Sequence, residues 1–258
     1  MIAGSWSVML AAGCLAGAIS LVQPRLDDAR ELASWAARPA VLPFAWAAQR
    51  AAMHSGNSDE VFARAQQLLD LLPTWTDGHA VFAGQFALDG GDLAQTGPER
   101  SAAAHRRLQI ALAWLENARR QAGRREIELL EQMAFLPDIA VAREPGLAAL
   151  LPAGGTAAMA DHYLAIAEQL GAGPVVRENR TFLAVQYCRG LLDAGDRRGA
   201  LAVLGAAIVR SADVRDRELA TEWSAHLTLV QQHLLGEPTD LSAVFADLRF
   251  EPLFPYLR

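Results

Sequence analysis

The chain has 258 residues, enough for one or two domains with a substantial core. It is acidic, with a formal net charge of −6, and all 23 of its basic Lys-plus-Arg positions are Arg. A net negative field argues against general affinity for nucleic acid, and two cysteines, Cys14 and Cys188, cannot make a disulfide framework. Apolar residues reach 52%, and the excess lies in Ala and Leu, which lose little side-chain entropy in a helix. Runs of alternating β-branched residues are scarce, so the expected class is all-α.

Residues 1–24 carry no charged side chain, and Ile2 to Val22 is an apolar run interrupted mainly by Ser and Gly. Twenty-one residues rising about 1.5 Å each span roughly 31 Å, close to the hydrocarbon thickness of a bilayer. Pro24 and Arg25 end the run. The expectation is one N-terminal transmembrane anchor, 1–24, in a bacterial inner membrane, followed by a helical body, 25–258. Two processing readings stay open beside it. Ala16-Gly17-Ala18 has the form of a signal-peptidase site, and Leu10-Ala11-Ala12-Gly13-Cys14 resembles a lipobox, although neither follows the basic start of such leaders. A buried core helix is a further reading, and the lack of a polar face over roughly six turns counts against it. Arg25, Arg30 and Arg38 point the body to the cytoplasm by the positive-inside rule. The short N-terminal tail points it to the periplasm, the side preferred here.

From Leu26 onward the spacing predicts helices over 26–37, 42–54, 58–72, 76–89, 98–122, 124–136, 156–170, 175–194, 197–211, 214–235 and 239–248. Ser58 before Asp59-Glu60 reads as an N-cap with acids at the positive end of the helix dipole. Pro98-Glu99 and Pro238 suit first-turn or pre-helix positions, and Gly56, Pro73, Gly90-Gly91, Gly123, Gly171 and Gly236 are the expected stops. Pro137 to Gly155, with three Pro and three Gly, reads as the loosest stretch, a hinge or an insertion.

Repetition is the informative feature. After a turn at Gly56, Val61, Ala65, Leu68 and Pro73 follow at 5, 9, 12 and 17 residues. After Gly195, Ala200, Leu204 and Ala207 follow at the first three of those offsets. A third turn, Gly90-Gly91-Asp92, comes 34 residues after Gly56 with Ala83 and Phe86 before it, and the 105 residues from Gly90 to Gly195 read as three steps of 35. This grammar resembles the tetratricopeptide repeat, in which small residues let two antiparallel helices approach closely and a Pro ends the second. The resemblance covers about a third of the chain. Ala45 and Gln49 stand where the family has its first-helix Trp and Gly, and Gly123 fits the period only loosely. It implies an irregular right-handed solenoid of antiparallel helix pairs. A non-repeating helical bundle is the alternative.

In tetratricopeptide arrays the first helix of each pair lines a groove that holds a peptide or helix. The resemblance then makes Trp46, Arg50 and Met53, Asp77 and Gly84, and Phe182, Val185 and Arg189 the groove residues; each apolar one could equally fill the core. Helix 98–122, if it continues through Gly123, carries Arg106, Arg120 and Arg124 on one stripe, which reads as a solvated face or as one that touches anionic headgroups or an acidic partner. The tail bearing Phe250, Phe254 and Tyr256 reads either as a cap folded over the last helix or as a docking segment. Chemistry is thin. No two His stand four apart, and His226 and His233 are read as lacking a Cys or Glu partner, so no metal, cofactor or catalytic residue is expected. Asp161, His162 and Glu168 read as surface residues of one helix, and Cys188 as an inert core thiol. The expected function is a membrane-anchored scaffold or assembly subunit binding membrane-associated proteins. An accessory subunit of a larger membrane complex, and a helical enzyme or small-molecule binder with an interhelical pocket, are the other readings.

Overall fold

The computed structural model describes residues 26–55, 58–72, 75–89 and 96–258. The anchor expected over 1–24 lies outside them. Among the described residues no helix is long and apolar enough to cross a membrane. Every regular element among them is a helix, as the Ala- and Leu-rich composition requires. The chain divides into two compact units, Met1–Leu72 and Pro73–Arg258.

In the first unit, α1 (Leu26–Ser55) packs along α2 (Ser58–Leu71). Ala52 of α1 and Ala65, Leu68 and Leu69 of α2 are buried. The break expected between 37 and 42 does not occur: α1 runs through Pro39 and Pro43. The two prolines sit one turn apart, so their missing N–H groups fall on one side of the helix, and the Ala-rich sequence around them sustains the other hydrogen bonds.

The second unit contains α3 (Thr76–Asp89), α4 (Gly97–Arg119), α5 (Glu126–Arg143), α6 (Gly155–Gln169), α7 (Pro174–Asp193), α8 (Arg197–Ser211) and α9 (Arg217–Leu235). The short α10 (Ser242–Ala246) and α11 (Phe254–Leu257) flank a 3-10 turn, Leu248–Leu253. Each helix from α3 to α9 packs on the next. The core falls into three clusters that share helices. One joins α3, α4 and α5 around Ala83, Leu108, Leu115, Leu129 and Met133. The next joins α5, α6 and α7 around Leu130, Ala134, Leu164 and Val176. The last joins α7, α8 and α9 around Val185, Cys188, Leu204, Trp223 and Leu227. Helix pairs in serial order, each closed by the first helix of the next, are compatible with a helical repeat fold. Ala200, Leu204 and Ala207, the small-residue positions read from the sequence, are fully buried.

The period differs from the one read in the sequence. First helices begin at Thr76, Glu126, Pro174 and Arg217, in steps of 50, 48 and 43 residues. Two helix pairs, not three, separate the α3–α4 connection from the turn at Gly195. The steps are long because α4 has 23 residues and a 3-10 turn, Pro145–Leu150, is inserted between α5 and α6. Pro137 does not open a loop either: α5 continues through it to Arg143 with the ring buried. The inserted turn is no free hinge. Leu147 is fully buried in the first cluster, and the Glu144 carboxylate accepts from Ser101 Oγ (2.9 Å) while pairing with Arg100 (2.7 Å). At Gly123, φ is +56° and α4 has already ended, so no continuous Arg stripe forms.

Polar groups fix the turns. Asp196 caps α8 by accepting from the Gly199 N–H (2.8 Å), and Asp216 caps α9 from Glu218 and Leu219 (both 3.1 Å), which delays its start from the expected 214 to Arg217. Arg125, just before α5, reaches back to Asp77 in the first turn of α3 (2.6 Å). Arg215, just before α9, reaches back to Glu178 near the start of α7 (2.9 Å). Gly190 in α7 lies so near the start of α6 that an added Cβ would stand 2.7 Å from Gly154 Cα.

The tail folds back on the last cluster. Phe250 is fully buried against Trp223 (ring centroids 4.7 Å apart) and edge-on to His226 (5.4 Å), and Leu253 and Leu257 are buried beside it. Phe250→Ala is expected to lower unfolding stability by about 3–5 kcal/mol in a denaturant titration of the whole chain. A loss under about 1 kcal/mol would show that the tail is no part of the core.

Candidate functional site

The two buried faces of α5 leave a third one exposed. Glu128, Gln132, Phe135, Ile139 and Ala142 recur every three or four positions and are all open to solvent. Helix α3 has a matching stripe of Asp77, Val81 and Gln85, with Gly84 partly exposed and nothing within 4 Å of where its Cβ would be. Arg125 donates to Asp77 Oδ1 (2.6 Å) and pairs with Glu128 (2.6 Å), so the stripes start side by side. Val81, Phe135 and Ile139 are 60%, 41% and 52% exposed, apolar positions on the two stripes that the Asp77–Arg125–Glu128 network joins at their start.

The residues taken from the repeat resemblance fall in several places. Asp77 and Gly84 lie on this exposed α3 face. Arg189 is exposed on α7 and pairs with Asp193 (3.5 Å). Phe182 is half-buried, edge-on to Trp223 at 5.0 Å, and Val185 is buried in the last cluster, so it faces the core rather than a groove. In the first unit Trp46 and Arg50 are exposed on α1, near Val41 and Phe44 on the same helix; the Met53 side chain lies outside the described part. Of the tail residues, Phe250 is buried, Phe254 packs edge-on to Phe245 at 5.0 Å, and the Tyr256 hydroxyl donates to Asp193. Ile139 lies beyond the expected helix end at 136, so its pairing with Phe135 on one face is not part of the sequence reading. Their four-residue spacing was the available signal.

Elsewhere the ionisable groups are mostly engaged with one another. Asp161 and Glu168 on α6 both accept from Arg180 of α7 (2.9 and 2.5 Å), so the former surface pair holds two helices together. A cavity of about 430 Å³ between α4 and α6 is lined by Gln109, Glu116, Arg119, His162 and Tyr163. Its Glu116 accepts from Arg119, and these hydrogen bonds hold the carboxyl below its usual range despite partial burial. Burial pushes the Tyr163 hydroxyl up, with Glu116 adding to it. Burial also pushes the Cys188 thiol up to about 12, as fits a packing residue.

His226 does have acidic neighbours, contrary to the sequence reading. Glu222 is one turn earlier on α9, and Asp247 arrives from the tail with Oδ2 3.1 Å from His226 Nδ1. Burial alone would raise the Asp247 carboxyl, but hydrogen bonds from Arg249 outweigh it and hold it below the usual range. Long-range folding created this neighbourhood, and only the Glu222-to-His226 spacing was visible beforehand.

No protein-family model matches the chain, and no match is found among curated proteins or solved structures.

Two outcomes follow from these protonation states. The depressed Glu116 pKa contributes stability above the unfolded value near 4.3 that is lost as pH falls through the lower folded value. Glu116→Gln should therefore flatten the stability loss between about pH 5 and pH 3 in acid denaturation curves. In a Cys14→Ser background, Cys188 should resist alkylation at about pH 8 and react fully once unfolded; rapid native labelling would contradict its burial.

Proposed function

We propose that the chain is a scaffold or assembly subunit, a tetratricopeptide-like right-handed solenoid held in a bacterial inner membrane by residues 2–22 with its body in the periplasm. The partner is a protein, itself membrane-associated, lying across the exposed faces of α3 and α5. One observation carries this reading: Val81, Phe135 and Ile139 stay open to water on the two helix stripes that the Asp77–Arg125–Glu128 network joins at their start. Apolar anchors with a charged border are the composition of a protein-binding surface, whereas a solvated helix face needs none of these side chains. Trp46 and Arg50 on α1 offer a second surface of the same kind in the first unit. The uncharged stretch before Arg25 supports the anchor.

The test is affinity capture from detergent-solubilised membranes with the wild-type chain and with a Phe135→Asp/Ile139→Asp variant of unchanged helical content. The wild type should retain a defined partner, and the variant should retain at least about tenfold less, since a charge in the contact leaves an unpaired ion. Equal capture by both would remove the α3–α5 surface from the proposal. Partition of the wild type into the aqueous phase after carbonate washing would remove the anchor.

A further inference from the structure

The clasp between α9 and the tail has the donor set of a transition-metal site. Glu222 and His226 stand four residues apart on α9, so their side chains leave the helix on one face, one turn apart. Asp247, 21 residues beyond His226, comes to the same place from the turn before Phe250. One ligand atom from each lies within 4.8 Å of the others. Around a tetrahedral ion with bonds of about 2.0–2.1 Å, ligand atoms stand roughly 3.3 Å apart. The 3.1 Å between His226 Nδ1 and Asp247 Oδ2 already approaches that spacing. Only Glu222, exposed and paired with Arg249 (2.8 Å), must give up that partner and swing inward.

Buried His226 and partly buried Asp247 are held in place. The His226 ring is fixed edge-on against Phe250, and Asp247 accepts from the backbone N–H of Arg249 (3.0 Å). Glu222 and Arg249 are exposed, so the cluster lies at the surface, within reach of water. A cation already holds both carboxylates: the Arg249 guanidinium donates to Asp247 Oδ1 and Oδ2 (both 2.7 Å) and to Glu222 Oε1 (2.8 Å). It is 41% exposed and stacks over Trp223 at 5.3 Å, so it can leave the carboxylates without losing all its contacts.

We propose that Glu222, His226 and Asp247 bind a zinc ion that displaces Arg249 and ties the tail to α9. One imidazole nitrogen with two carboxylates suits zinc, whereas magnesium and calcium take oxygen ligands. The metal and Arg249 compete for the same two carboxylates.

That competition supplies the test. Zinc binding to the tag-free full chain is measured by competition with a chromophoric chelator, and thermal unfolding is followed with and without zinc. The wild type should take up a single ion and melt at a higher temperature with it. Glu222→Gln, an exposed change that leaves the core intact, should weaken binding by about tenfold, and His226→Gln by more. Arg249→Gln should lower stability without zinc yet tighten zinc binding severalfold, a combination that a merely structural role for the clasp does not produce. Absence of zinc uptake by the wild type would overturn the proposal. So would unchanged affinity in both Glu222→Gln and His226→Gln, weaker binding in Arg249→Gln, or an equal response to magnesium.

Discussion

The second unit depends on one constraint: an inner helix must bury two faces at once, one against the helices before it and one against those after. A residue-to-residue rotation of about 100° lets neighbouring positions serve opposite sides. Helix α5 does this with Leu129 and Met133 in one cluster and Leu130 and Ala134 in the next. Helix α7 gives Val176 to the middle cluster and Val185, Cys188 and Leu191 to the last. Small residues are needed wherever backbones come close, as at Ala200, Ala207 and the Gly190–Gly154 approach. On α3 and α5 an exposed strip remains that carries Val81, Phe135 and Ile139 among polar residues. Packing geometry thus generates the surface offered to a partner.

Serial stacking leaves an open end, and the chain closes it with its own tail. Among the described residues after α9, α10, the 3-10 turn and α11 insert Val244, Phe250, Leu253 and Leu257 into the core that α7, α8 and α9 share. A short irregular segment can do this because its backbone groups are tied locally and its apolar side chains reach one depression. The ionic clasp of Glu222, His226, Asp247 and Arg249 sits at the edge of that insertion, so the fold of the tail and any ion held there are coupled. Arg125 and Arg215 play a related part at the turns, each linking the start of one first helix to its predecessor. Such exposed pairs add little stability singly, and their effect is to set orientation.

Misread elements share a cause. Pro39, Pro43 and Pro137 are helix breakers by local propensity, yet α1 and α5 run through them. The loss of a hydrogen bond at Pro137 is offset by burial of its ring and of Leu136 and Ala140 around it, a gain invisible to a rule that sees only the backbone. The even step of 35 failed because glycines mark turns without saying which turn of a pair they mark. Gly123 ends the second helix of a pair, whereas Gly195 joins the two helices of another.

Helical class, most helix positions and the small residues that must be buried were determined by the sequence alone, because composition, caps and a 3.6-residue period act within a few residues of each other. Which helix packs on which, the two-pair spacing between the outer turns, the burial of Val185 and Phe250, and the meeting of His226 with Asp247 were decided only in three dimensions. Those outcomes depend on contacts between residues tens of positions apart, and the closure of such loops is set by the summed fit of many side chains rather than by any local signal.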